Sequence, residues 1–479
     1  MTRLWASALY AGLSAVFILV SFALAQRGVV EHQSFKAFYC AGAAVREHLD
    51  PQRVEPLRSC ERRFETDAMA PGYVEPAPLP GYALAPFALL SRLPARAAAE
   101  VFAVVLALAT IGSAYFLATV TGAPRAAVLL ALAPLALLNV AYGELPPLPL
   151  LGMCACAFYL TKRQWIPAAV AASIVLFQPN IGLPAVLAVG VFAPRTRLWL
   201  ALCVLILAGL SIAILGVAQN LTYFSAVLPL QAHSELGAAD QYSFSHVLYE
   251  SGAAPNLAIL YGKVWFACMG IIGFGIAGIA ALRSRIVELL PLLPPAIALL
   301  GGIYVHDIQM LLAIPAALFV ASRVRRRTYA ALAVAALAVL VAVWTQRLGR
   351  AALLVDAAGV AAAVFAVVHQ PLMRRLILSI GAAVVVIACI TVAQRVAPPV
   401  TGAAVVTQSF DASPLEFTAV AWERYLNASP ALMHQSFLLK VPTWLALAAL
   451  MVASIGLCGK REAAAEDDRV ESAMLAPSG

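Results

Sequence analysis

Charge is scarce in this chain. Asp, Glu, Lys and Arg make up 12% of its 479 residues, where a soluble domain carries about a quarter, and that shortage excludes an ordinary water-soluble globule. Familiar metal and nucleotide motifs are missing too. There is no paired C-x-x-C set, no Walker A loop and no H-E-x-x-H, which removes the corresponding zinc and P-loop classes. The formal net charge of +8 comes without a soluble basic domain, so no nucleic-acid partner is expected.

What is present is apolar: 62% of the residues are hydrophobic. A bilayer core about 30 Å thick needs roughly 20 apolar residues per helix. On that measure the chain reads as about 13–14 transmembrane helices, near 5–25, 97–120, 125–141, 146–160, 165–178, 182–193, 198–218, 258–281, 286–303, 306–321, 328–346, 351–368, 374–392 and 438–458. The expected class is an all-α polytopic membrane protein with one integral-membrane domain over 1–460. Residues 5–25 have no small-residue cleavage site and more spans follow, so they read as the first helix rather than a signal peptide. The spans 165–178 and 182–193 are short and read as half-helices meeting at Gln178-Pro179-Asn180. Residues 461–479, rich in Ala, Glu and Asp, read as a disordered cytoplasmic tail.

Lys and Arg in short loops set the orientation. With both termini cytoplasmic, the inner face collects Arg125, Lys162-Arg163, Arg195, Arg197, Arg283, Arg285, Arg323, Arg325 to Arg327, Arg374-Arg375 and Lys460-Arg461. Three long segments, 26–96, 219–257 and 393–437, then lie outside a bacterial inner membrane. Arg92, Arg96, Arg347 and Arg350 run against the pattern. Most cysteines fall in or at the ends of spans, whereas Cys40 and Cys60 share the first outer loop. An oxidising compartment favours a disulfide between them; the alternative is two free thiols.

Within that loop, Phe35, Phe38, Tyr39 and Ala43 recur at helical spacing with Lys36, Arg46 and Glu47 elsewhere around the helix. This pattern predicts a short helix lying in the membrane interface over 35–48, ended by Asp50-Pro51. Pro71 to Pro86 is too rich in proline for a regular element, and 79–91 reads as a second short interfacial or re-entrant segment.

These residues resemble a known pattern. Phe38-Tyr39, Ala41-Gly42 and Asp50-Pro51 are similar to the first loop of glycosyltransferase family 87, and Tyr73 to Phe87 to its aromatic-proline stretch. Asn139…Gly143-Glu144 resembles its N…GQ element, Phe177-Gln178-Pro179 falls where the family has Lys-Pro, and Tyr304-Val305-His306-Asp307 resembles its late polar pair. The resemblance runs over 5–325. It implies a GT-C-like bundle that moves a hexosyl or pentosyl unit, mannose in many members, from a polyprenyl-phosphate donor to an extracytoplasmic glycan or lipid acceptor. Three positions depart: the expected aspartate is Ser34, the glutamine is Glu144 and the lysine is Gln178. Two other readings stay open, a flippase of lipid-linked glycans and an inactive member acting as an assembly subunit.

Glycosyl transfer needs a base for the acceptor hydroxyl and groups that hold the departing phosphate. Glu31-His32, at the outer end of the first span, is the nearest candidate base, against a solvated helix terminus. Asp307 is the other catalytic candidate, against a helix cap, with His306 beside an anion-favouring helix start. Glu144 sits in a tight turn between spans, where a carboxylate usually marks a site; the alternative is an exposed turn. Ser34, Tyr39, Gln178, Asn180, His246 and Lys263 complete the substrate-binding candidates. For His246 a solvated loop, and for Lys263 interfacial snorkelling, are the alternatives. No cofactor is assigned, and a divalent metal is left open.

Overall fold

The computed structural model describes residues 2–26, 33–64, 74–342, 350–396, 412–428 and 440–459. No strand occurs among them, only the isolated bridges Arg53–Phe417 and Gln241–His306. The helices are α1 (Thr2–Ala25), α2 (Gln33–Arg46), α3 (Val54–Glu61), α4 (Gly81–Leu90), α5 (Ala95–Thr121), α6 (Arg125–Tyr142), α7 (Pro147–Thr161), α8 (Trp165–Ile174), α9 (Pro179–Phe192) and α10 (Arg197–Thr222). They continue as α11 (Leu228–Ser234), α12 (Phe244–Glu250), α13 (Pro255–Ser284), α14 (Leu289–Gly301), α15 (Ile314–Arg323), α16 (Arg327–Ala342), α17 (Arg350–Val367), α18 (Leu372–Val396), α19 (Thr418–Asn427) and α20 (Val441–Ile455).

The protein is thus all-α, and 6 helical stretches among the described residues are long and apolar enough to cross a membrane. The remaining apolar helices are shorter, at 10–17 residues. Their burial follows their position. Within Pro194–Ser234 only 17% of the apolar window is buried, and α10 exposes Leu198, Leu205, Ile206 and Leu221. Apolar side chains left outward on that scale suit a hydrocarbon surround. By contrast α14 and α15 are apolar all round and buried almost throughout, as a central helix must be.

Those central helices are also short. The 13 residues of α14 rise about 20 Å at 1.5 Å each, less than the 27-residue α5 beside the bundle. Proline and glycine mark where they stop: α14 ends at Gly301-Gly302, and the chain re-enters as a 3-10 turn, Asp307–Ala313, before α15. The predicted span 306–321 is therefore a 3-10 turn followed by α15. The space above the ends of α14 and this turn is a cavity.

The predicted break at Gln178 is observed. A 3-10 turn, Val175–Phe177, closes α8, and α9 begins at Pro179. Arg195 lies over the Trp165 ring at 5.5 Å, which puts the end of α9 beside the start of α8. The pair is a hairpin whose tip is Gln178–Asn180.

Three expectations for the first loop need correction. The aromatic face of α2 turns into the protein, not out of it: Phe35 and Phe38 are buried, and Phe35 stacks on Phe102 of α5 and meets Phe87 of α4. Helices α2 and α4 approach so closely at Gly42 that a Cβ there falls 2.3 Å from the Phe87 carbonyl carbon. Lys36 is not on a wet face either; it is fully buried and paired with Glu61 of α3 at 3.8 Å. Nor does Asp50-Pro51 end the helix, since α2 stops at Arg46 and His48 takes a left-handed φ of 58°. Cys40 and Cys60 are joined in a disulfide that ties α2 to α3.

Candidate functional site

The cavity has a volume of about 1000 Å³, at the upper end of the range for ligand sites. Its walls come from the ends of many helices: Ser34 of α2, the 75–80 segment, the α6–α7 turn, the α8–α9 tip, α11, α13, the 302–309 segment and α19.

One group of side chains forms around Ser34. Gly143, with φ of 71°, ends α6 in the left-handed conformation that glycine adopts readily. It lies so near α2 that a Cβ would fall 2.4 Å from Phe35 Cβ. The turn it makes is closed by the Glu144 amide donating to the Asn139 carbonyl at 2.8 Å, and it aims Glu144 at the cavity. Ser34 Oγ donates to Glu144 Oε1 at 2.5 Å, and Glu75 Oε1 lies 3.4 Å from the same hydroxyl. Glu75 is held from behind, where its amide donates to Glu61 Oε2 at 3.0 Å, so the buried Lys36–Glu61 pair supports the cavity wall. Burial pushes the Glu144 carboxyl above the ordinary carboxylate range, opposed by the Ser34 hydrogen bond and by His306.

A second group is built on the bridge between Gln241 and His306. The Tyr242 amide donates to the Val305 carbonyl at 2.6 Å and the Asp307 amide to the Asp240 carbonyl at 3.1 Å, which sets Asp240 beside His306. His306 Nδ1 lies 3.0 Å from Asp240 Oδ2. Burial lowers the imidazole's pKa, but Asp240, Glu235 and Glu144 outweigh it and hold the pKa at about 10. Gln241 Nε2 sits 3.3 Å from His306 Nε2 while its Oε1 accepts from the Val305 amide, an arrangement that favours a neutral ring. The nearby carboxyl groups oppose that preference and favour the protonated ring.

Behind this loop sits Lys440, fully buried. Its Nζ donates to the Gln241 carbonyl at 2.6 Å and lies 2.7 Å from His246 Nε2. His246 Nδ1 is 2.7 Å from the Leu236 carbonyl. Both imidazole nitrogens are therefore engaged, and burial pulls the Lys440 ammonium down to about 8.

The third group is Glu235, which accepts from Trp422 Nε1 at 2.6 Å and from Gln231 Nε2 at 3.1 Å. Burial drives its pKa well above the carboxylate range. Trp422 arrives from α19, which docks on α11 where Glu423 Oε1 lies 3.2 Å from His233 Nδ1. Backbone bonds from the Val54 amide to the Glu416 carbonyl and from the Thr418 amide to the Gln52 carbonyl join the 412–428 segment to the one after α2.

Of the expected site residues, Ser34, Glu144, Gln178, Asn180, Lys263, His306 and Asp307 all line the cavity. Glu31 and His32 lie outside the described residues. Tyr39 is not at the cavity; its hydroxyl donates to the Leu93 carbonyl at 2.9 Å and its ring packs on Phe64. His246 is a buried support rather than a ligand contact, because Lys440 and Leu236 occupy its ring nitrogens. Asp307 accepts from the Ile308 amide at 2.7 Å, while the helix-start bond is made by the His306 amide to Gln309 Oε1 at 3.0 Å. Asn180 Nδ2 ties the hairpin tip to the Tyr304 carbonyl at 3.1 Å.

Sequence reasoning missed Glu75, Glu235 and Lys440. One signal was available: in so acid-poor a chain, a lone carboxylate between apolar runs is worth tracking. Among the described residues no three His, Cys, Asp or Glu side chains converge as a metal site. Comparison with family models, characterised proteins and solved structures finds no match.

Proposed function

We propose that the cavity is the active site of a glycosyltransferase of the GT-C kind, resembling family 87, which uses a polyprenyl-phosphate sugar on the extracytoplasmic face. The observation that carries this reading is the pairing of two chemistries in one cavity. Carboxyl groups meet at Ser34 and around His306, while α13 contributes Lys263 with Phe266 one turn along and Phe224 and Leu228 stand nearby. A lipid phosphate with a sugar head has the complementary parts: an apolar chain, an anion and a polyhydroxyl group.

Glu144 serves as the base in this scheme. A carboxylate with a raised pKa takes a hydroxyl proton more readily near neutral pH than an ordinary one. His306 and Lys263 supply positive charge for the departing phosphate. The absence of a carboxylate at position 34 is offset by Glu75 and Glu144 converging on Ser34, which favours an enzyme over an inactive subunit.

Sidedness rests on two independent features. The basic loops gather at the end away from the cavity, as the positive-inside rule requires of a cytoplasmic face. The Cys40–Cys60 disulfide lies at the cavity end, as expected of an oxidising compartment. In this topology the shorter helices cross together with the 6 long ones.

The test is transfer itself. Protein in nanodiscs is offered radiolabelled polyprenyl-phosphate sugars with membrane extract as acceptor. Wild type transfers label from at least one donor; no transfer from any donor overturns the proposal.

A further inference from the structure

The loop that carries Asp240 is held along two edges. One edge faces the 302–307 segment. Here the Tyr242 amide donates to the Val305 carbonyl, the Phe244 amide to the Gly302 carbonyl at 3.2 Å and the Asp307 amide to the Asp240 carbonyl. Gln241 and His306 stand opposite each other in this antiparallel bridge. The backbone bonds fall to their neighbours, so the Gln241 carbonyl turns to the other edge.

That other edge is the start of α20. Lys440 Nζ donates to the Gln241 carbonyl at 2.6 Å, and Trp444 Nε1, one turn along, donates to the Tyr242 carbonyl at 3.0 Å. Lys440 is fully buried, and its ammonium lies 5.5 Å from the centre of the Tyr242 ring. A buried ammonium is costly, and its nearest partners, a backbone carbonyl and the His246 ring, carry no negative charge. Buried Leu447 and Leu450 already seat α20 in the bundle, so anchoring the helix does not require a lysine here.

Between the two edges sits the contact that governs His306. Asp240 Oδ2 is 3.0 Å from His306 Nδ1, and Gln241 Nε2 is 3.3 Å from Nε2 of the same ring. Glu235 and Glu144 also act on this imidazole, while Lys440 is felt by Asp240, Glu250 and Asp307 through space.

We propose that Lys440, together with Trp444, is a positioning residue for the cavity: by gripping the 241 and 242 carbonyls it holds Asp240 against His306 and so fixes that ring's orientation and charge. The start of α20, well beyond the 5–325 region of resemblance, thereby belongs to the site. This rests on the glycosyltransferase reading only for the phosphate that His306 meets.

The sign of the effect separates positioning from simple charge. Loss of a cation by itself makes His306 harder to deprotonate, whereas release of Asp240 makes it easier. Protein in nanodiscs is treated with diethyl pyrocarbonate, which acylates neutral imidazole. The rate at His306, a cavity-lining residue, is read by mass spectrometry as a function of pH. At pH 8 this rate is expected to rise about tenfold in Lys440→Met and about threefold in Trp444→Phe, because each unit by which the pKa falls gives tenfold more neutral ring. An unchanged or slower rate in either folded variant overturns the proposal. Where loss of helical content shows that Lys440→Met does not fold, Trp444→Phe, which removes no charge, decides alone. Faster acylation in a protein that transfers no sugar leaves this inference standing while the proposed function fails. Sugar transfer by wild type with His306 unmoved in both variants does the reverse.

Discussion

The two ends of the helix bundle are built from opposite materials. At the end away from the cavity, arginines and lysines stand in short loops and point outward: Arg195 on Trp165, Arg125 over Tyr115, Arg375 on the Phe365 carbonyl. Among the described residues Glu288 is the acid that answers them, 3.9 Å from Arg323. At the cavity end the segments are long, acids gather inside, and some basic residues pair with a neighbouring acid. Arg58 pairs with Glu55 at 2.9 Å and Arg53 with Asp50 at 3.2 Å. One end is a charged rim whose members act singly; the other is a layered structure in which buried charges hold the walls. The difference teaches where substitutions are tolerated and where they are not.

The largest expected effect is on chemistry. Glu144→Gln keeps the shape of the turn and the Ser34 contact but removes the proposed base, so in the proposed transferase kcat is expected to fall by about 10²–10⁴. Retention of wild-type kcat moves the base elsewhere in the cavity. Next comes the buried support. Lys36→Met leaves Glu61 charged and enclosed, and unfolding in detergent detects a loss of about 3–5 kcal/mol. The double variant with Glu61→Gln recovers most of it; an unaltered single variant denies the pair its role.

Close packing gives a smaller effect. Gly42→Ala forces α2 away from the α4 backbone, costing about 1–3 kcal/mol, measured as a lower denaturation midpoint with the same α-helical content.

The pH dependence is smaller still. Folded His306 keeps its proton to about 10 whereas the unfolded residue releases it near 6.5. Its contribution is complete below 6.5 and is lost as pH rises through 10. Glu235, raised to about 7, adds a decline in the same direction below 7. Lys440, lowered to about 8, adds an opposite slope above 8. Between pH 7 and 8 stability therefore falls by up to about 1.4 kcal/mol, and His306→Gln flattens the curve; a slope unchanged in that variant assigns it to another group.

Much of the frame was legible in the sequence because it rests on local rules. Apolar runs bounded by Gly, Pro and paired arginines mark α5, α6, α10, α13 and α18, and the Gln178-Pro179 break marks the hairpin tip. What escaped is what depends on distant pairing. Phe35 and Phe38 look like a lipid-facing stripe because helical spacing alone cannot say which surface receives it, and the receiving surface is Phe87 and Phe102. Lys36 resembles a wet residue until Glu61, 25 positions on by sequence number, is folded against it. Glu75 and Glu235 come from separate segments far apart in the chain, and no spacing rule connects them. His246 shows the reverse: a histidine in an outer loop reads as a ligand, yet Lys440 and Leu236 claim both its nitrogens.

The contrast between the two ends is tested most directly by sidedness. In a background without the six free cysteines, Ser251→Cys at the cavity end and Arg326→Cys at the basic end are each exposed to a membrane-impermeant maleimide on intact cells. The account predicts labelling of position 251 and protection of position 326 until the membrane is opened. Labelling of 326 with protection of 251 contradicts it.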